Sequence, residues 1–405
     1  MIRRLARTGA VLATASLLLT ACSGTSDDTK PKTAPSRHPV FDQKLDRQMF
    51  LAVRETQKAG SASFTQTLTL ETKKGKAVQT LEGRLDFAKN TGDANIRWKV
   101  PKKFSDAAKD AILGRAPGRA NADAAGRFLV DGRNITYRAG SSDYWLRYGY
   151  GDYDNSQKTL DQLRGTEAPV GGTLLEGLGG AEAKSRQGTN YQAEVDSEPL
   201  WEMLPGEISE QLTSEMYTPG VARTKKVSLT VSLDRQGRVT RVRADLSRML
   251  GKKGSLFSDA TSLTMELVLH EHGRSKPAGG TDGGKVLDAA GTVRSIHDVK
   301  AGHCIDFSTG QRDVELVVDV PCAKPHDGRV FAQATYGGHA YPGRSAAKSQ
   351  ASRACNRSYG RVSDDWTADS ADENSYWYMW SGEYDWQQDG KGRTTCYVVT
   401  AKGAA

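Results

Sequence analysis

The chain has 405 residues, of which 37% are hydrophobic and 26% are charged. These fractions exclude a protein that crosses the membrane many times and a chain that is disordered throughout, and the length predicts two or three domains. The 56 Lys and Arg exceed the 48 Asp and Glu by a net charge of +8. This excess is spread along the chain, whereas nucleic-acid binding needs a concentrated basic surface. We therefore expect no nucleic-acid partner.

The first 22 residues have the pattern of an export signal. Three arginines among the first seven residues precede an apolar run, 9–19, that is too short to span a bilayer. The run ends in L-T-A-C at Cys22, which resembles the lipobox of bacterial lipoproteins. The resemblance implies that residues 1–21 are a signal peptide and that Cys22 carries a diacylglyceryl anchor. The alternative is an ordinary secretory signal with a chance cysteine.

Residues 22–39 contain little that can pack into a core, because Ser, Thr, Asp, Lys and Pro dominate. We predict a flexible tether, whose sixteen residues from 23 to 38 have a root-mean-square reach of about 22 Å. With the anchor at Cys22, the folded part is expected at the outer face of the cytoplasmic membrane. The membrane is thus the first expected partner.

The region 40–272 begins with a helical pattern and continues with strands. Apolar residues from Leu45 to Thr56 recur at steps of three and four, and Gly60 follows as a stop. Strict apolar–polar alternation then predicts antiparallel strands with one buried face; these lie near 64–70, 81–87, 96–100, 128–130, 135–137, 144–148, 227–233, 239–246 and 263–269. Two further stretches, 160–180 and 199–217, have helical patterns. We expect a curved antiparallel half-barrel sheet with helices on its concave face.

This layout resembles the actinobacterial LppX/LprG lipoproteins, which are similar to the LolA and LolB carriers. The match covers roughly 45–272 and depends on residues Tyr191 to Asp196 and on Val227 to Leu246 with the turn from Asp234 to Gly237. The resemblance implies an apolar cavity that holds acyl chains or glycolipids and moves them from the membrane. The frequent Arg and Gly residues, and the polar stretch 106–121, depart from it, since a large lipid cavity needs more Leu, Ile and Phe.

Alternation directs a set of apolar side chains toward the inside of this sheet. An inward apolar residue is packed core by default, but a ligand wall needs the same residue types, so the sequence leaves both interpretations open. The candidates for the cavity wall are Phe64, Leu68, Leu85, Trp98, Leu229 and Val231. The aromatic run 144–153 is compatible with a membrane-interface lip or a pocket rim, or with a hairpin of stacked cross-strand aromatics.

A glycine-rich stretch separates this region from a second one. Residues 273–285 contain five glycines and no large apolar side chain before Val286, so we predict a linker at 273–289 and a second domain at 290–405. All cysteines other than Cys22 lie there, namely Cys304, Cys322, Cys355 and Cys396. Four cysteines in an exported domain indicate two disulfides. Three pairings are open, and we favour the sequential one, 304–322 with 355–396.

The second domain resembles the septum-formation domain of actinobacterial envelope proteins over about 293–400. The most specific stretch is V-P-C-A-K-P-H-D, from Val320 to Asp327. Where the pattern has an acidic residue two positions after Asp327, this chain has Arg329. The resemblance implies a small disulfide-stapled α+β module outside the cytoplasm. Its partner is expected to be an envelope protein or peptidoglycan.

The same domain is rich in aromatic side chains toward its end. Candidates for an interaction surface are Tyr376, Trp377, Trp380 and Trp386, because flat rings stack on sugar faces; the alternative is that they form the core of a small domain. His303 and His326 lie close to cysteines, but two histidines without a third ligand at fixed spacing do not predict a metal site. We expect neither metal nor cofactor.

Catalytic motifs are incomplete in this chain. Residues 279–286 fall one residue short of a P-loop because Val286 stands where Ser or Thr is required. Ser345 and Lys348 fit S-x-x-K without the companion motifs of penicillin-binding proteins. We therefore expect no enzyme. The sequence predicts a lipoprotein that binds or carries a lipid or glycolipid; the alternative is a structural or interaction protein of the envelope or septum without lipid cargo.

Overall fold

The structure is a computed structural model, and several stretches of the chain lie outside what it describes. The expected signal peptide, Cys22 and most of the tether are among them, as are most of the stretches 160–180 and 199–217. The described residues are 38–105, 108–109, 112, 123–132, 134–140, 142–149, 174–197, 200, 203–204, 226–250, 257, 259–277, 279–309, 315–338, 340–367 and 376–400.

Twelve strands form one large curved sheet. Their bounds are β1 Ser61–Thr72, β2 Gly75–Asp86, β3 Thr91–Lys99, β4 Asp123–Asp131, β5 Asn134–Ala139, β6 Tyr144–Tyr148, β7 Glu182–Gln187, β8 Asn190–Asp196, β9 Lys226–Leu233, β10 Val239–Asp245, β11 Ala260–His270 and β12 Lys285–Asp288. The spatial order is β12-β6-β5-β4-β3-β2-β1-β11-β10-β9-β8-β7. Neighbours pair antiparallel except β12 and β6, which are parallel. The predicted strands are therefore present as one sheet.

The register places the alternating apolar residues on one face, which we call the inner face. Phe64 lies opposite both Leu269 and Gly83, and Leu68 lies opposite Met265 and Gln79. Directly opposite residues share a face of the sheet, so the inward residues form continuous and mostly apolar rows from strand to strand. The other face carries threonines and cross-strand ion pairs such as Arg97–Glu82 and Arg241–Glu266, both at 2.8 Å.

Two of the helices that the structure describes lie against the inner face. Helix α1, Leu45–Lys58, buries Met49, Ala52, Val53 and Thr56 as the three- and four-residue spacing predicts. Helix α2 is Leu174–Gly179. Helix α1 contacts β7, β10 and α2, whereas α2 contacts β10 and β11. Both helices therefore cover the half of the sheet that ends in β7.

The segment predicted as a linker is tied to the large sheet. Gly273 N–H donates to Ser61 O (2.8 Å), and the hydroxyls of Ser63 and Ser275 are 2.8 Å apart. Its last residues form β12, which pairs with β6 at the far edge of the sheet. The stretch thus differs from the free hinge that its composition predicts. The domain boundaries at 272 and 290 stay a prediction.

A six-stranded sheet follows, with strands β13 Val293–Ser295, β14 Cys304–Asp306, β15 Leu316–Val320, β16 Gly328–Gly337, β17 Trp377–Trp380 and β18 Lys391–Val399. The strand order is β13-β15-β14-β16-β18-β17. The helices of this part are α3 Ala289–Thr292, α4 Arg344–Tyr359, α5 Asp364–Thr367 and α6 Glu383–Asp389; short 3-10 turns occur at Pro39–Asp42, Ser247–Met249 and Ile296–Asp298. Helix α4 packs on β16, β17 and β18.

Two disulfides fix the small sheet, in the pairing that we favoured. Cys304–Cys322 joins the start of β14 to the turn after β15, and Cys355–Cys396 joins α4 to β18. A separate apolar cluster that includes Ile296, Val330 and Tyr397 fills the face of the sheet opposite α4. The fold class is α+β: a large, curved, almost entirely antiparallel sheet and a small disulfide-stapled sheet with helices.

Candidate functional site

All six candidates for the cavity wall lie on the inner face of the large sheet. Phe64, Leu68, Leu85, Trp98, Leu229 and Val231 are buried and belong to one apolar cluster. The alternation in the sequence therefore placed them on the correct face. Burial alone does not separate a core from a cavity wall, so the decisive question is what covers each part of the face.

One part of the inner face is filled by helices. We call Leu229, Val231, Val242 and Leu267 the packed region; Val231 is 0% exposed, and the others are equally sealed. These residues belong to β9, β10 and β11, and helices α1 and α2 contact β10 directly. Met49 of α1 and Leu178 of α2 are also fully buried in this cluster. Leu229 and Val231 are therefore packed core.

One patch on the strands from β2 to β5 is less completely buried than the inward residues around it. We call Gln79, Ile96, Trp98 and Tyr137 the open region: Trp98 is 8% exposed, Gln79 is 9% exposed, and Ile96 and Tyr137 are partly exposed. Gln79 and Trp98 are directly opposite each other. A side chain at Gly126 would come within about 3 Å of both Ile96 and Tyr137, so these two side chains are neighbours. Ile96 lies two residues before Trp98 on the same face of β3.

Glutamine occurs at two inner-face positions of the large sheet, and only one is used by the fold. The Oε1 atom of Gln66 accepts a hydrogen bond from Leu174 N (2.9 Å), which fixes the start of α2. Gln79 lies one strand away, between Leu68 and Trp98. Sequence reasoning missed Gln79 because it placed the start of this strand at Leu81; the alternation Ala77, Gln79, Leu81 is the signal that marks it as inward.

Clefts lined by described residues also occur away from the open region. A cleft of about 850 Å³ lies between residues 273–280 and the β2–β3 and β4–β5 turns, with Lys89, Asp131 and Lys276 among its lining residues. A second, of about 340 Å³, lies on the outer face beside Glu71, Lys76, Arg243 and Glu266. Neither cleft touches a cavity-wall candidate. Both clefts are lined by acidic and basic residues together, so their charge does not indicate one class of ligand.

The described part of the aromatic run, residues 144–149, forms a buried junction and not a membrane-interface lip. Tyr144 O–H donates to Asp306 Oδ2 (2.9 Å), and Tyr148 O–H donates to Thr309 O of the second sheet region. Burial and the Asp306 carboxylate raise the pKa of Tyr144 well above its usual value, so it stays a neutral donor. Residues 150–153 of the run lie outside the described chain.

The opposite side of β6 is also covered. Trp145 N–H donates to Thr281 O (3.0 Å), and the Arg138 guanidinium lies 4.8 Å from the indole ring centre. Arg127 pairs with Asp282 on the same side. Strand β6 is thus held by Thr281 and Asp282 on its outer side, by β12 along its edge and by the small-sheet region on its inner side.

The aromatic candidates of the small sheet divide into core and partial surface. Trp386 is 4% exposed; it stacks on Tyr336, donates to Gly338 O (2.8 Å) and lies where any side chain at Gly392 would collide with it. This corrects the expectation that Trp386 belongs to an exposed surface. Tyr376, Trp377 and Trp380 remain partly exposed on and beside the edge strand β17.

The histidines of the small sheet have structural contacts. His303 Nδ1 lies 3.1 Å from Asp319 Oδ1, and His326 Nδ1 lies 2.8 Å from Lys324 O. His297 is buried beside Thr395 Oγ1 (2.9 Å); burial, together with the nearby Arg393, lowers its pKa to about 4. Within the described ranges, no group of three or more His, Cys, Asp or Glu residues is placed to hold a metal ion.

In the part of the chain that the structure describes, no helix is long and apolar enough to cross a bilayer. Cys22 lies outside these residues. The expected acyl anchor thus remains a prediction from sequence.

No protein-family model and no curated protein matches this chain. Among solved structures, the chain is similar to lipoprotein LppX of Mycobacterium tuberculosis, with 12% identity and a TM-score of 0.25, covering 58% of this chain and 100% of that one. It is also similar to an uncharacterized conserved protein from Thermus thermophilus, with 9% identity and a TM-score of 0.27. This match covers 60% of this chain and 98% of that one. At TM-scores below 0.5, neither likeness supports an argument about function.

Proposed function

We propose that this chain is a lipid-anchored extracytoplasmic protein that binds the acyl part of a lipid or glycolipid at the open region of its large sheet. The observation that carries the proposal is the contrast within the inner face: the packed region is sealed by α1 and α2, whereas Gln79, Ile96, Trp98 and Tyr137 keep accessible surface among apolar neighbours. Accessible apolar surface on a concave face is the environment that acyl chains require.

The rest of the chain is consistent with this location. Two disulfides suit an oxidising compartment outside the cytoplasm. An acyl anchor at Cys22 would keep the open region near the bilayer, because the tether is short. We propose a binding or carrier role rather than catalysis. A Cys22→Ser chain should be released from the membrane fraction while keeping its fold.

The test of the ligand is native mass spectrometry of the chain purified from a bacterial membrane, beside an organic extract of the same sample. We expect an adduct of lipid mass that extraction removes. Ile96→Trp should abolish the adduct with little change in melting temperature, because the larger ring fills accessible space. Arg97→Trp, the next residue on the outer face, is the matched control and should keep the adduct. A clean unliganded mass from the unmodified chain would contradict the proposal.

A second function, an envelope interaction protein, is favoured by a different observation. A partly exposed aromatic stretch lies at β17, the edge strand of the small sheet, and consists of Tyr376, Trp377 and Trp380. An envelope protein or peptidoglycan is the partner that this surface would suit, in line with the septum-formation resemblance. Trp380→Ala should abolish pull-down of peptidoglycan or of a septal protein, with no effect on lipid adducts.

A further inference from the structure

Gln79 and Trp98 place two polar groups side by side on an otherwise apolar surface. They lie directly opposite each other on β2 and β3, a position in which side chains on one face contact each other. Each side chain is more than nine-tenths buried. The glutamine amide offers two N–H donors and a carbonyl, and the indole offers one N–H donor.

Neither polar group has a hydrogen-bond partner in the part of the chain that the structure describes. No residue that the structure describes forms a hydrogen bond with the Gln79 amide or the Trp98 indole N–H, whereas Gln66 on the neighbouring strand holds Leu174 N. A buried donor without a partner is unfavourable, so native proteins rarely leave one unused.

The two groups are not sealed off either. Some described side-chain N and O atoms are fully buried and have no hydrogen-bond partner, but none of them belongs to Gln79 or Trp98. They lie in the second sheet region, on His297, Gln350, Arg393 and Thr394. The polar atoms of Gln79 and Trp98 therefore border accessible space. Their donors are available to a molecule that enters the open region.

The charge of the inner face restricts what that molecule can be. The inward positions described on β1 to β6 carry no Asp, Glu, Lys, Arg or His. Among the described residues at these positions, a buried carboxylate or phosphate would find no counter-ion, and an unpaired buried charge is far more costly than a neutral hydrogen-bonded group.

We infer that the ligand carries an uncharged carbonyl acceptor of the ester type next to its alkyl chain, and that Gln79 and Trp98 donate hydrogen bonds to this carbonyl. The inference rests on the proposed lipid binding and names the chemistry that selects the lipid. The alkyl chain lies along the accessible apolar surface of Ile96 and Tyr137. An esterified acyl chain fits this description, and a free fatty acid does not.

The test compares three fluorescent probes that differ in one group: methyl 12-pyrenedodecanoate, sodium 12-pyrenedodecanoate and pyrenedodecane. Each is titrated into the delipidated mature chain carrying Cys22→Ser. We expect the ester to bind about tenfold more tightly than the alkane, the scale of one or two buried hydrogen bonds. The carboxylate should bind more weakly than the ester at pH 7.5.

Substitutions then assign the effect to the two donors. Gln79→Leu should weaken the ester about five- to tenfold and leave the alkane unchanged, and Trp98→Phe should weaken the ester about threefold. Gln79→Leu should also keep or raise the melting temperature, because the amide has no partner in the fold. The matched control Gln66→Leu should lower the melting temperature, because Leu174 N loses its acceptor.

The outcomes separate this inference from the proposed function. If the ester and the alkane bind equally well to the unmodified chain, acyl binding stands and the carbonyl site is wrong. Tighter binding of the carboxylate than of the ester would also overturn it. If no probe binds, the proposed lipid binding fails, and the carbonyl site fails with it. The unmodified chain alone gives these results, so they hold even if a variant does not fold.

Discussion

The packed and open regions belong to the same sheet face and to the same alternating pattern, yet they have different surroundings. Val231 and Val242 are covered by helices that the chain supplies, and Thr56 of α1 even receives a hydrogen bond from Val239 N (2.8 Å). Ile96 and Trp98 retain accessible surface, and Gln79 retains unused donors. This difference indicates two features of a ligand site in this fold. Its strands keep accessible surface that helices do not cover, and its polar groups lack a hydrogen-bond partner among the described residues.

The largest expected effect is on stability. Leu229→Ala should lower the free energy of unfolding by about 4 kcal/mol, because a sealed leucine leaves a cavity that cannot collapse. Ile96→Ala should cost only about 1 kcal/mol, because its side chain already borders accessible space. Urea unfolding at pH 7.5 measures both. Equal losses would remove the distinction between the two regions.

Acid sensitivity should come from outside both regions. The folded pKa of His297, about 4, lies below the ordinary value of 6.5, so the unfolded chain takes up the proton first. Neutral His297 therefore makes its full contribution to the free energy of unfolding above pH 6.5, and this contribution is lost as the pH falls toward 4. Between pH 7 and pH 5, the loss should be about 2 kcal/mol.

His297→Gln should flatten this dependence, and the exposed His270→Gln should leave it unchanged. Unfolding free energies at several pH values between 4 and 7.5 provide the measurement. A slope that persists in His297→Gln would assign acid sensitivity to another group.

The end of the inner face beyond β5 is expected to depend on the junction with the small sheet. Tyr144→Phe should cost about 1.5 kcal/mol, because the buried Asp306 carboxylate loses a hydrogen-bond donor. Tyr384→Phe is the matched control, since Tyr384 is 68% exposed. Urea unfolding again measures the difference. No loss in Tyr144→Phe would mean that the second sheet contributes little to holding this edge.

The smallest effect concerns binding. The open region contains no group that titrates between pH 5.5 and pH 8, so the affinity for the ester probe should change less than about twofold over this range. The carboxylate probe, in contrast, should gain affinity as the pH falls and it becomes neutral. A strong pH dependence of ester binding would indicate an ionisable group at the site.

The sequence predicted most strands because alternation in segments such as Val227–Leu233 follows directly from one dry and one wet face. It also placed the inward residues on the correct face and favoured the observed cysteine pairing. Strand β12 was not predictable, because its parallel partner β6 is more than a hundred residues away and its flanking glycines are typical of linkers. The burial of Tyr144, Trp145 and Trp386 likewise depends on contacts with residues far away in the sequence.

The sequence could not show which inward residues are packed and which keep accessible surface, and the reason is physical. A core and a lipid cavity are lined by the same residue types, so Leu229 and Trp98 carry the same pattern signal although their surroundings differ. A glutamine at an inward position is a more specific signal. Gln66 and Gln79 show that even this signal needs the structure, because one of them serves the fold and the other does not.

The most direct test of the central claim is a crystal structure of the delipidated mature chain soaked with a brominated alkyl ester. We expect an anomalous bromine peak on the inner face, with the alkyl chain within about 4–5 Å of Ile96 or Trp98 and the ester carbonyl toward Gln79. A face whose side chains are fully interlocked around Trp98, with bromine absent from it or bound only at the outer clefts, would contradict the account.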